Sequence, residues 1–121
     1  MGEPQGYVTT HVLDLAAGRP AAGLKIEAFA LRGDDRTPVG GLTTNTDGRG
    51  DGPLIPQGAL TAGEYEFLFH AGAYLDRAHG PTPPPRFVDL VPIRFGVADA
   101  HQHYHVPLLL SPFGYSTYRG S

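Results

Sequence analysis

The sequence predicts an all-β fold: an antiparallel sandwich of about seven or eight short strands with one short helix. Three observations carry that expectation. Glycine (17) and proline (12) account for 29 of the 121 residues, which cuts the chain into pieces too short for a helical bundle. Polar and apolar side chains alternate with a period of two in several segments, the pattern of a half-buried strand. Turn-forming residues punctuate those segments at short intervals.

Residues 7–13 place Tyr7, Thr9, His11 and Leu13 on one face and Val8, Thr10 and Val12 on the other, and Ala17-Gly18-Arg19-Pro20 turns the chain after them. Residues 24–31 form a second strand, with Leu24, Ile26, Ala28 and Ala30 opposed to Lys25, Glu27, Phe29 and Leu31. Gly33-Asp34-Asp35 is the next turn, followed by a glycine-rich strand over 39–44 and the turn Asn45-Thr46-Asp47-Gly48-Arg49-Gly50. Residues 64–70 set Tyr65, Phe67 and Phe69 against Glu64, Glu66 and Leu68, a half-buried strand rich in aromatic residues. Residues 71–79 lack alternation and suit about two helical turns before Gly80-Pro81. The run Pro81-Thr82-Pro83-Pro84-Pro85 is expected to be an extended connector. Strands follow at 87–97, 101–110 and 113–118; Pro92 and Pro107 within them suggest edge positions or bulges.

A chain of this length suits one domain with a modest core, expected over 7–121 after a flexible stretch at 1–6. Without cysteine there is no disulfide, thiolate or Cys-based zinc site. The net charge of −3 is interspersed, with no Lys/Arg cluster to neutralise phosphates, so nucleic acid is excluded as a partner. Residues 1–6 carry neither a basic region nor an apolar run, and the final Arg119-Gly120-Ser121 is not a Ser-Lys-Leu signal. A cytoplasmic protein that makes no use of a membrane is the expectation.

His101, His103 and His105 alternate through one expected strand and so share a face, with successive side chains about 7 Å apart. One reading makes them zinc ligands completed by His11. The other leaves His101 and His103 as solvated strand-end residues and singles out His105, which precedes the apolar run 106–110. His11 lies mid-strand on the face of Thr9. Arg49 follows the Asp-Gly turn, where a guanidinium can grip planar carbonyls through paired hydrogen bonds. The alternation of Tyr115, Thr117 and Arg119 against Ser116 and Tyr118 argues for a strand running almost to Ser121, against the usual fraying of a terminus.

Thr9-Thr10-His11-Val12, Thr44-Asn45-Thr46-Asp47-Gly48-Arg49, His103-Tyr104-His105-Val106 and Tyr118-Arg119-Gly120-Ser121 together resemble the transthyretin-like family, within it the 5-hydroxyisourate hydrolases. The Tyr-Arg-Gly-Ser ending resembles the hydrolase branch and not the hormone carrier. The resemblance covers 7–121 and implies a homotetramer, a dimer of dimers whose stacking forms a central channel. It also implies ring opening of 5-hydroxyisourate without metal or other cofactor, with His11, His105, Arg49 and Ser121 catalytic and His11, Arg49 and Tyr118 binding substrate. Imidazoles near their ordinary pKa of ~6.5 suit the activation of water. The rival readings are a sandwich that carries a small ligand without catalysis, and the zinc hydrolase.

Overall fold

The computed structural model describes residues 5–121; of the stretch expected to be flexible, residues 1–4 lie outside the described residues. Eight strands and one helix follow in the order β1 (Tyr7–Asp14), β2 (Arg19–Pro20), β3 (Lys25–Arg32), β4 (Asp35–Thr43), β5 (Gly63–His70), α1 (Ala71–His79), β6 (Leu90–Val97), β7 (His103–Ser111) and β8 (Gly114–Thr117). They form two four-stranded sheets, ordered β2-β1-β7-β8 and β4-β3-β5-β6. Among the described residues no helix is long and apolar enough to cross a membrane.

Alternation decides what each sheet buries. Val8, Thr10, Val12 and Asp14 point inward from β1, and Tyr65, Phe67 and Phe69 from β5. Ile26 and Ala28, Leu108 and Leu110, and Leu75 of α1 complete one contiguous core. Each such side chain fully removed from water contributes roughly 1.5–3 kcal/mol before entropy is counted. Glu66 is buried on the other face of β5 because two guanidiniums hold its carboxylate, Arg36 at 2.7 Å and Arg94 at 3.0 Å. Burial pushes its pKa up, and the two arginines outweigh that, so the group stays below the ordinary glutamate range.

Several expectations about the strands need correction. The hairpin after β3 turns on Gly33 and Asp34 alone, with Gly33 at φ 61, so Asp35 already pairs with Arg32 and the next strand begins four residues before 39. The strand expected at 87–97 starts at Leu90: Phe87 is exposed, Val88 plugs the core, and the Asp89 carbonyl accepts from Gly72 N at 3.0 Å. Pro92 does lie on an edge strand, β6, but Pro107 lies in β7, between β1 and β8. His101 falls in the turn before β7, with its N–H on Asp99 Oδ1 at 2.9 Å, and so leaves the histidine alternation. While every other pair is antiparallel, β1 and β7 run parallel, because the whole second sheet forms the crossover between them.

The helix has the expected bounds, 71–79, and the proline-rich connector is tied to it by Arg86, which donates to Asp76 Oδ1 at 2.9 Å and to the Gly80 carbonyl at 2.7 Å. Asp14 locks α1 to β1. Its carboxylate accepts from Tyr74 Oη at 2.6 Å, His79 Nε2 at 2.7 Å and Ala17 N at 2.9 Å. Burial and the Asp14 hydrogen bond push the Tyr74 hydroxyl up to about 12, so it remains a donor. Asp14→Ala strands the buried Tyr74 hydroxyl and takes the carboxylate partner from the more exposed His79. We expect it to lower the unfolding free energy by about 3 kcal/mol, read as a fall in the urea midpoint at unchanged slope.

Candidate active site

The parallel register of β1 and β7 builds the first wall of the site. Tyr7 pairs with His103 and Thr9 with His105, so the outward faces of both strands coincide. Thr9 Oγ1 lies 2.7 Å from His103 Nε2 and 2.7 Å from His105 Nδ1, one hydroxyl shared by two imidazoles. The Tyr7 ring stacks on His103 with centroids 4.3 Å apart and planes inclined by 13°. His103 and His105 ring centroids are 6.2 Å apart.

The second wall comes from the loop after β4. Strand β2 covers only Leu13 and Asp14, leaving the rest of that edge of β1 with unpaired backbone groups. Residues 45–55 fill the vacancy. Val12 N donates to the Gly48 carbonyl at 2.8 Å, Val8 pairs with Ile55, and His11 forms a bridge with Arg49. The turn is shaped by Asn45, whose Oδ1 accepts from Asp47 N at 2.9 Å and Arg49 N at 3.1 Å. Asn45, and not Asp47 of the Asp-Gly turn, supplies the organising side chain. Gly48 sits at φ 75, and a Cβ there would stand 2.3 Å from the Val12 carbonyl oxygen, so only glycine lets the loop approach β1.

The carboxyl-terminal tail closes the third side. Strand β8 pairs with β7 as far as Thr117 opposite Leu108, and the same register returns at Gly120 opposite His105, with Gly120 N on the His105 carbonyl at 2.8 Å. The ladder lapses between them where Pro107 has no N–H to give; Thr117 Oγ1 takes the Pro107 carbonyl instead, at 2.7 Å. Gly120 then lies against the His105 ring, where an added Cβ would meet Cδ2 at 2.5 Å. We expect Gly120→Ala to displace the imidazole and lower kcat at least tenfold while the melting temperature barely moves, since the tail lies outside the core.

Tyr7, Thr9, Arg49, His103, His105 and Ser121 line one cavity of about 440 Å³, the size of a small-molecule site. Arg49 is exposed, and among the described residues its guanidinium has no hydrogen-bond or carboxylate partner. It is a cation left available to a ligand. Burial, then the Arg49 charge, then His103 and His11 hold the His105 pKa below its ordinary value. His11 is lowered by burial and by Arg49, against the opposing pull of Asp47. Both imidazoles are therefore neutral near neutral pH and able to accept a proton.

Residues 8–120 match the HIUase/Transthyretin family. The chain is 59% identical over 116 residues to 5-hydroxyisourate hydrolase 2 of Rhizobium meliloti (strain 1021), covering 96% of this chain and 97% of that protein. The chain belongs to the HIUase/transthyretin family. Among solved structures of similar shape is an (S)-allantoin synthase, with a TM-score of 0.90 and 42% identity over 98% of this chain; this chain spans 45% of that one. Sea bream transthyretin in complex with thyroxine superposes with a TM-score of 0.82 and 29% identity, covering 93% of each chain.

Of the residues the family resemblance singled out, Arg49, His105 and Ser121 border the cavity, and His11 sits beside Arg49 through its backbone bridge. Tyr118 is placed elsewhere. It is 58% exposed and borders a second hollow with Phe95, Tyr104 and Val106, because the tail leaves the β7 ladder opposite Pro107. Sequence reasoning set the Thr9 hydroxyl beside His11, as a group that could orient that ring or bind substrate, and left His103 between a zinc ligand and a solvated strand-end residue; it did not join Thr9 to His103 and His105. Their alternation with His105 and His11 was the available signal, but only the parallel register joins the two strands. With His101 off the strand, the four-histidine zinc set does not assemble, and among the described residues no three His, Asp or Glu side chains converge as metal ligands.

Proposed function

We propose that this chain hydrolyses 5-hydroxyisourate, opening its six-membered ring to 2-oxo-4-hydroxy-4-carboxy-5-ureidoimidazoline in urate breakdown. The observation that carries the reading is the convergence on one cavity of the His105 imidazole, held below its ordinary pKa, and the Arg49 guanidinium, unpartnered among the described residues, in a chain this similar to a protein named for that hydrolysis. His105 takes a proton from water as its oxygen attacks the cyclic amide carbonyl. Arg49 donates hydrogen bonds to the carbonyl oxygen as negative charge gathers there. The ring C–N bond then breaks, and the nitrogen leaves with the proton that the imidazole returns. His11, bridged to Arg49 and acted on by both Arg49 and Asp47, holds substrate and relays protons, and Ser121 assists from the tail.

The reading includes a homotetramer, a dimer of dimers. Support comes from the outer edges of β6 and β8, unpaired among the described residues, and from the exposed Leu15, Phe87, Leu90, Phe113 and Tyr115. Tyr118 contacts substrate across a subunit boundary in this assembly. A native mass of one protomer at full activity would contradict it. The cytoplasmic setting is checked by cell fractionation.

Ring opening is tested by following the ultraviolet decay of freshly generated 5-hydroxyisourate, which the protein accelerates in proportion to its concentration. A carrier would bind without accelerating the decay; its cavity would suit an apolar ligand, whereas here three of the lining side chains are His103, His105 and Arg49.

A further inference from the structure

We propose that His103 is a positioning residue which, through the Thr9 hydroxyl, determines which nitrogen of His105 carries the proton. Its consequence for catalysis rests on the hydrolase reading; the tautomer itself rests on geometry. Thr9 Oγ1 is 2.7 Å from both His103 Nε2 and His105 Nδ1. A hydroxyl has one proton to give and two lone pairs to accept with. At most one of the two nitrogens can therefore meet it with a lone pair, and the other must bring its own proton.

When His103 Nε2 is the acceptor, His105 Nδ1 must be the donor. A neutral His105 then keeps its lone pair on Nε2, the nitrogen not engaged by Thr9, and that atom is free to take a proton from water. In the reverse arrangement the hydroxyl gives its proton to Nδ1, the neutral ring carries hydrogen on Nε2, and the base is lost. The first arrangement also suits the protonated ring. After His105 takes a proton, Nδ1–H still donates to Thr9 and Thr9 still donates to His103, so no hydrogen bond is remade as charge develops.

The surroundings fit that role. Stacking on Tyr7 fixes the His103 ring, and Arg119 Nη2 on the His103 carbonyl at 3.2 Å fixes its backbone. Arg49 and His11 are the other titratable or charged groups that act on His105, and Ser121 borders the same cavity. His103 itself is exposed and pairs with no carboxylate among the described residues. Among the described residues the Thr9 hydroxyl is thus the group that its Nε2 meets.

Ring-nitrogen NMR on the protein without substrate separates the two tautomers. Wild type and Thr9→Ser are expected to hold His105 with hydrogen on Nδ1 near neutral pH. Thr9→Val removes the hydroxyl at nearly constant volume, and His103→Phe keeps a ring against Tyr7 without an acceptor. Both are expected to raise the population with hydrogen on Nε2 and to lower kcat about tenfold or more with KM nearly unchanged. An Nε2-protonated His105 in the wild type would overturn the proposal, as would wild-type kcat in both Thr9→Val and His103→Phe, or a Thr9→Ser enzyme that behaves like Thr9→Val. Because the tautomer is read without substrate, failure of the wild type to open 5-hydroxyisourate removes the hydrolase reading and leaves this result standing.

Discussion

Replacing His105 with alanine is expected to lower kcat for ring opening by about 10²–10⁴-fold, the usual worth of a positioned proton acceptor. The effect should fall on kcat more than on KM, because proton transfer is made only on the way to the transition state. Folding should survive. The ring lies at the cavity wall, its neighbours Thr9 and His103 keep each other as partners, and the core side chains of β7 are Tyr104, Val106, Leu108 and Leu110 on the opposite face. A folded His105→Ala protein that opens 5-hydroxyisourate at the wild-type rate would sink the proposed mechanism.

Arg49→Ala is expected to lower kcat/KM by about 10²–10³-fold, the loss of about 2.7–4 kcal/mol that follows removal of one oxyanion donor. Since the guanidinium has no partner among the described residues, the same change should leave stability within about 0.5 kcal/mol. It should also move the pH profile. In the wild type the positive charge of Arg49 helps burial to hold His105 and His11 below their ordinary value, so the acid limb of kcat/KM lies below about pH 6.5. Without that charge the imidazoles bind protons more readily, and the acid limb moves to higher pH. The residual activity of Arg49→Ala, measured against pH, gives the shift; an acid limb unmoved or moved lower would show that Arg49 does not act on the bases.

The two changes separate the roles. If His105 is the base, its removal abolishes the acid limb that belongs to it, whereas removal of Arg49 displaces that limb. His11 is the control for both, since it shares the lowering by Arg49 but makes no hydrogen bond to Thr9.

Much of the fold was legible in the chain. The inward sets of β1, β3 and β5 follow from alternation, and α1 ends at the residue before Gly80, as expected from its composition. Errors gathered where a local rule met a distant demand. Phe87 has strand character, yet Val88 is drawn into the core and Asp89 is held by Gly72 before pairing begins at Leu90. Pro107 reads as an edge residue, yet it is accommodated inside a sheet because β8 stops at Thr117 and the tail returns only at Gly120. Tyr118 is a different case: grouped with the histidines by motif, it borders another hollow of its own protomer where pairing lapses at Pro107, and its proposed contact with substrate belongs to the assembly.

By itself the sequence determined the strand faces, the place of the Asp47-Gly48 turn, the single helix and the motifs that mark the family. Those are properties of residues within a few positions of one another, where sterics and periodicity act directly. Only the tertiary structure decided that Thr9 meets both His103 and His105 across separations of 94 and 96 residues, that Arg49 is carried to the free edge of β1, and that Gly120 comes back to His105. The physical reason is register. It is set by burying two sheets against one core, and a slip of one residue between β1 and β7 would turn Thr9 to the opposite face from His105.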